Sequence, residues 1–403
     1  MVPDDIQQLF LDLLRLHLNP SASAAPVSVS PEALQGLMGL SQLHQVTPMV
    51  VDALGAGACL APDAEALFAV WKRQAMGAVF AQTRRTQAFA ALCAALEQAQ
   101  IPAVVFKGIL LRILYPKMDF RTSSDEDIYI PEAYDDAARQ VFQAQGMQVA
   151  AGDEPAAQVT TYVCPITGLR VEVHRSLFPE LAGAGAAMNS LFQGIEQRRI
   201  AVKWNGASLY GMPHTEHMLY LIFHALKHFV HAGFGIRQVC DINLYAAVHW
   251  RDIDWKRVSD SLRLCRAQVF AAGIWSIGAR FLGFPDRGYI PVAAPDPLPL
   301  LQDVLTGGVY GSSTEDRQHA SLITLSALSA ATSIPASLRG AIFPPLEQMA
   351  AKYPYLRRRP WLLPAAWSQR IAGYLRKGGR VSPTASISIG SQRVALLRRY
   401  GLL

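Results

Sequence analysis

Six residues, Asp125-Glu126-Asp127-Ile128-Tyr129-Ile130, constrain this chain more than any other stretch. They alternate with the period of a β-strand, which puts the carboxylates of Asp125 and Asp127 on one face. Two carboxylates side by side repel each other unless a cation neutralises them, and hard oxygen ligands suit Mg2+ or Mn2+. Replacing either aspartate by Asn is therefore expected to abolish turnover and leave the fold intact, because it removes like-charge repulsion.

Upstream, Ile101-Pro102-Ala103-Val104-Val105-Phe106 is apolar and rich in β-branched residues, which predicts a buried strand ending at Lys107-Gly108. Gly108 then opens a helix. Ile109, Leu110, Leu111, Ile113, Leu114 and Tyr115 give that helix a broad apolar face, and Pro116 stops it about two turns later. A glycine at a helix start lets phosphate oxygens approach backbone N–H groups and the positive end of the helix dipole. Strand end, glycine, helix and acidic strand together describe a metal-triphosphate site.

Further on, residues 159–164 and 169–175 predict two strands joined by Pro165-Ile166-Thr167-Gly168 as a hairpin. Glu172 and His174 share a face of the second. A third carboxylate on a neighbouring strand is what a two-metal site needs, with Asp125 and Asp127 bridging both ions and Glu172 holding the one that activates the acceptor oxygen. His174 either orients that acid, contacts substrate or packs. Arg121, between helix and acidic strand, pairs with Asp125 or, as the family resemblance given next implies, neutralises a pyrophosphate leaving group.

At these residues the chain resembles a known family. Lys107-Gly108, Tyr115-Pro116, Arg121, Asp125-x-Asp127 and Val171-Glu172-Val173-His174 look like the uncharacterised bacterial nucleotidyltransferase family of the DNA polymerase beta superfamily. Glu126 departs from the pattern, standing where that family usually has an apolar residue. It implies either altered packing or an extra acid near the metals. The likeness extends to Leu43-His44-Gln45-Val46-Thr47-Pro48, to a helical segment with His224, His228, Gly233, Ile236-Arg237 and Val239-Cys240-Asp241-Ile242, and to Tyr353–Pro364 near the C-terminus. The resemblance implies an α+β fold, a polymerase-beta-like mixed sheet with helices, flanked by N-terminal and C-terminal helical regions. It also implies an NTP as substrate, Lys107 and Gly108 cradling phosphates, and Lys227 and Arg237 reaching the triphosphate from a cleft-closing helical domain. His174, Asp241, His224 and His228 are the residues expected to support that site. An Arg237–Asp241 pair at i, i+4 is the plain alternative for Arg237.

Helical periodicity divides the remainder. Residues 4–18 predict an amphipathic helix, 31–54 further helix, and 64–98 one long helix or a helical pair. Residues 133–145 read as helix, 146–150 as a short strand, 182–187 as a small-residue linker and 201–211 as the completion of the sheet. A helix over 216–231 carries His217, His224, His228 and His231 on one face, which suits either metal ligation or the support role above. Proline-rich residues 287–299 form a linker, and 322–331 predict another helix. The domains expected are 1–98 helical, 99–211 catalytic, 212–290 helical and cleft-closing, and 291–403 helical with a basic tail.

Charge and cysteine content bound the function classes. With 51% hydrophobic and 17% charged residues over 403, the chain belongs among folded proteins of two or three domains. Cys59, Cys93, Cys164, Cys240 and Cys265 lack CxxC spacing, which argues against a disulfide framework or structural zinc and for a reducing compartment. The acidic start and the lack of an apolar run of roughly 18 residues give the expectation of a soluble, cytoplasmic protein, with peripheral membrane attachment left open. Eleven of the 37 Lys and Arg and none of the 31 acids lie from Lys352 onward, so residues 1–351 carry 26 bases against 31 acids, a net −5, and the tail +11. Such a block binds RNA, a lipid surface or another anionic partner, or is a solvated helical face. The function expected is NMP transfer from an NTP to a small-molecule, sugar-phosphate or peptide acceptor. The alternatives are an RNA-directed or toxin-like transferase and a degenerate domain that binds a nucleotide or partner without turnover.

Overall fold

The structure, a computed structural model of the 403-residue chain, describes residues 3–20, 28–57, 59–153, 158–178, 184–231, 233–309, 346, 349, 353–376 and 383–403. The helix expected over 322–331 lies outside them. At the N-terminus, helix α1 (Asp5–Leu18) begins with a reciprocal cap: the Gln7 amide donates to Asp4 Oδ1 at 2.8 Å, and the Asp4 amide to the Gln7 side chain. Ser30 caps α2 (Pro31–Leu43) in one direction only, its Oγ accepting the Ala33 amide at 3.2 Å, with Pro31 preset at the first position. Gln45 then turns to a φ of 54°, so the stretch expected as one helix over 31–54 is split, and α3 (Thr47–Gly57) follows. Strands β1 (Ser28–Val29) and β2 (Cys59–Leu60) pair in parallel beside these helices.

The long Ala-rich stretch is one helix, α4 (Glu65–Gln98), of 34 residues, about 51 Å at 1.5 Å per residue. Its first half packs Trp71 and Ala75 among the N-terminal helices, and its second half packs Phe89, Leu92 and Leu96 under a sheet. That sheet holds β3 (Val104–Val105), β4 (Glu126–Tyr129), β5 (Gln148–Val149), β6 (Val159–Val163), β7 (Arg170–His174), β8 (Ile200–Trp204) and β9 (Ala207–Gly211). Its order is β5-β6-β7-β4-β3-β9-β8, with β4–β7 and β3–β9 parallel and the other pairs antiparallel. The mixed α+β class is therefore as expected. Two elements are shorter than the sequence pattern suggests. Only Val104 and Val105 of 101–106 join the ladder, since Pro102 has no N–H to give. After Gly108, helix α5 spans only Ile109–Arg112 before the chain turns.

Helix α6 (Asp135–Ala144) covers the same face as α4, closing a core of Ile128, Phe142, Val171 and Val173. Residues 182–187 overlap a helix rather than a linker only: α7 (Ala184–Ser190) forms there and buries Met188. The opposite face of the sheet meets α8 (His214–His231), where Phe106 packs edge-on to Tyr220 with ring centroids 4.7 Å apart. Helices α9 (Ile236–Val248), α10 (Trp255–Leu264), α11 (Gln268–Phe281) and α12 (Leu298–Gly307) extend this layer and share one apolar core with α1 and α3. Two further helices follow, α13 (Leu363–Arg376) and α14 (Pro383–Arg399). Part of the basic tail belongs to the core: Arg393 donates to both carboxylate oxygens of Asp303 at 2.8 and 2.7 Å, and Tyr400 is fully buried. No described helix is long and apolar enough to cross a membrane.

Candidate active site

Strand register assembles the site. In the parallel β4–β7 pair, Asp127 lies opposite Glu172 and Tyr129 opposite His174. Ile128 and Val173 point into the core under α4 and α6, so the alternation sends Asp127, Glu172 and His174 to the face that α8 covers. His174 Nε2 stands 3.1 Å from Asp127 Oδ1 and 3.7 Å from Glu172 Oε2. One donor atom from each of the three lies within 4.8 Å of the others. Asp125 lines the same cleft but stands outside that group.

A cation already answers the buried acid. Lys107, just past β3, places Nζ 3.0 Å from Asp127 Oδ2, and only 3% of the Asp127 side chain is exposed. Burial alone would raise the Asp127 pKa, but the Lys107 ammonium and His174 outweigh it and hold the carboxyl well below the usual range. Burial raises Glu172, and the negative charges of Asp127 and Asp125 raise it further.

Helix α8 supplies the roof. Lys107 Nζ donates to His224 Nε2 at 3.1 Å, and His228 Nε2 lies 3.2 Å from the same nitrogen. The Lys107 ammonium can only donate, which puts the His224 proton on Nδ1. Burial, followed by the Lys107 charge, lowers the pKa of both rings, His228 to about 3. Lys227 is lowered for the same two reasons, with Asp127 and Glu172 opposing. His217 does not join them: its Nε2 donates to the Phe106 carbonyl at 2.8 Å, and burial takes it to about 3. His217, His224, His228 and His231 form no metal-ligand group among the described residues. His44 is likewise a core residue, bonded through Nε2 to the Leu305 carbonyl and stacked on Phe10.

Glu126 resolves differently from either expectation. It is 2% exposed and faces away from Asp127, forming an ion pair with the fully buried Arg112 at 2.5 Å, and its Oε2 accepts the Ile109 amide at 2.9 Å. The first helical N–H after Gly108 is therefore taken by a carboxylate and is not open to phosphate. Gly108 has φ +56°, and a Cβ there would stand 1.8 Å from Glu126 Oε2, so close approach of the acid demands glycine. Arg112 also donates to Ser123 Oγ at 2.7 Å, tying α5 to the loop before β4. Helix α4 holds the same loop: Thr83 and Thr86 donate to Asp119, and the Ser123 amide donates to Gln82.

Arg121 pairs with Asp241 rather than Asp125. Its Nε and Nη2 donate to the two oxygens of Asp241 at 2.8 and 2.6 Å, and Tyr115 Oη donates to the same carboxylate at 2.7 Å. Arg237, left without Asp241, donates through Nη1 to the Thr122 carbonyl and to Gln45 at 2.7 and 3.0 Å. The α2–α3 turn therefore braces Arg237 from behind the cleft. Arg121 Nη1 and Arg237 Nε are buried with no hydrogen-bond partner, and both residues line the cleft with Lys107, Asp125 and Asp127. The cleft is about 50 Å³, well below the roughly 300 Å³ of a small-molecule pocket.

A family model described as an uncharacterised nucleotidyltransferase matches residues 30–283, more than half of the chain. The chain belongs to this family. No curated protein and no solved structure matches it. The matched span runs from α2 through α11 and so contains every candidate site residue named above. Arg112, Ser123 and Tyr220 escaped the sequence reading. Each lies in an apolar or loop stretch whose pattern carries no sign of its distant partner.

Proposed function

We propose that the chain is a Mg2+- or Mn2+-dependent nucleotidyltransferase with a polymerase-beta-like core, moving an NMP from an NTP to a hydroxyl or phosphate of a small-molecule, sugar or peptide acceptor. The observation that carries this reading is the Asp127, Glu172 and His174 group, buried against Lys107 and opening on two arginines with unpaired N–H groups. The donors fit a hard cation: carboxylates supply its preferred oxygens, and His174 hydrogen-bonds Asp127 as an orienting ring does. Asp125, Asp127 and Glu172 would hold the ions, which supply positive charge to developing oxyanions and lower the acceptor's pKa.

The chain's own groups do the remaining work. Lys107 exchanges Asp127 for phosphate, with His224 keeping the ammonium aimed at the cleft. Arg121 stays fixed by Asp241 and offers Nη1, while Arg237 offers Nε. Since the cleft is small, a nucleotide enters as Lys107 moves aside from Asp127. RNA as acceptor is the second reading, favoured by exposed Arg358 and Arg359 beside Trp361, which is 73% exposed.

Calorimetric titration of ATP, GTP, CTP and UTP with Mg2+ tests the reading, in wild type and Asp125→Asn. Metal-dependent binding of a nucleotide that Asp125→Asn abolishes is the expected result. Absence of binding by all four, with the fold intact, would overturn it.

A further inference from the structure

A second donor cluster lies at the far end of the helical layer. His214 opens α8 and His249 caps the C-terminus of α9, and their rings stack with centroids 4.0 Å apart and planes 21° apart. Asp252, in the turn that follows, brings Oδ2 to 3.4 Å from His249 Nδ1. One donor atom from each of the three lies within 4.8 Å of the others. These residues share nothing with the Asp127 cluster.

The surroundings suit a ligand set. Tyr245 Oη lies 2.8 Å from His214 Nδ1. With the Nδ1 proton given to that oxygen, Nε2 keeps its lone pair, which is how an outer hydroxyl orients a metal-binding imidazole. The Asp252 side chain is 55% exposed, so an ion has a route in and a carboxylate to meet it. Two imidazoles and one carboxylate form a borderline donor set that favours Zn2+ or Co2+ over Mg2+.

We propose that His214, His249 and Asp252 form a binding site for a divalent transition-metal ion, of the Zn2+ class, separate from Asp127, Glu172 and His174. The ion joins the start of α8 to the end of α9. One turn along α8, His217 holds the Phe106 carbonyl immediately before Lys107, so the clip anchors the end of the helix that roofs the candidate active site. This inference does not depend on the nucleotidyltransferase reading.

The test is Zn2+ binding by equilibrium dialysis and Co2+ binding by visible absorption, with the full chain in excess Mg2+. Wild type, His249→Gln, Asp252→Asn and Glu172→Gln are compared. Both His249→Gln and Asp252→Asn weaken binding by at least about tenfold, while Glu172→Gln binds as wild type. Asp252 is exposed, so its variant reports on ligation rather than folding, and metal-free melting curves check this for both. Wild-type affinity in either variant, loss confined to Glu172→Gln, or no uptake by wild type overturns the proposal.

Discussion

Asp127→Asn tests whether Lys107 is the partner that makes a buried carboxylate tolerable. The like-charge argument expects the substitution to leave the fold intact, but the structure gives Asp127 a second role as counter-ion to a lysine whose side chain is only 19% exposed. Removing one member of a buried ion pair costs about 3–5 kcal/mol. Asn keeps a hydrogen-bonding oxygen and His224 remains within 3.1 Å of the ammonium, so we expect the lower end, about 3 kcal/mol. Asp125→Asn, which has no such pair, loses less than about 1 kcal/mol. The sign with pH follows from the depressed Asp127 pKa. Its stabilisation is fully present above the unfolded value of about 3.9 and fades as pH falls through the folded one. The gap between wild type and variant should thus be constant down to about pH 5 and shrink toward about pH 2. Urea unfolding followed by tryptophan fluorescence at several pH values measures it. Equal midpoints for Asp127→Asn and wild type near neutrality would refute the reasoning.

Gly108→Ala should destabilise the chain by about 3 kcal/mol or more, since it adds a strained positive φ and drives Glu126 off Arg112; thermal melting reads it, and an unchanged melt excludes this geometry. Asp241→Asn leaves Arg121 buried without a charge partner and should cost about 3 kcal/mol, whereas exposed Asp252→Asn changes metal-free stability little, again by melting. Glu172→Gln should reduce turnover far more than nucleotide affinity, measured by product formation beside calorimetry. Equal loss of both would make Glu172 a structural acid.

What the amino-acid order determined by itself is the periodic part of the molecule. The alternation through Asp127 and through Glu172-Val173-His174 sets which side chains share a face, and the apolar residues between them leave only one face for the core. The run before Gln98 was helical from its pattern, with one helix or a pair left open until the structure showed one, and the 159–174 hairpin formed where its turn residues stand. What only the tertiary structure decided is which charge meets which. Arg121 finds Asp241 120 positions away and Lys107 finds His224 117 positions away, while Glu126 turns to Arg112 rather than toward the metals. Periodicity is a local property, set by backbone geometry within a few residues. The partner of a buried charge depends on how distant elements stack, because only there does desolvation make an unpaired group intolerable.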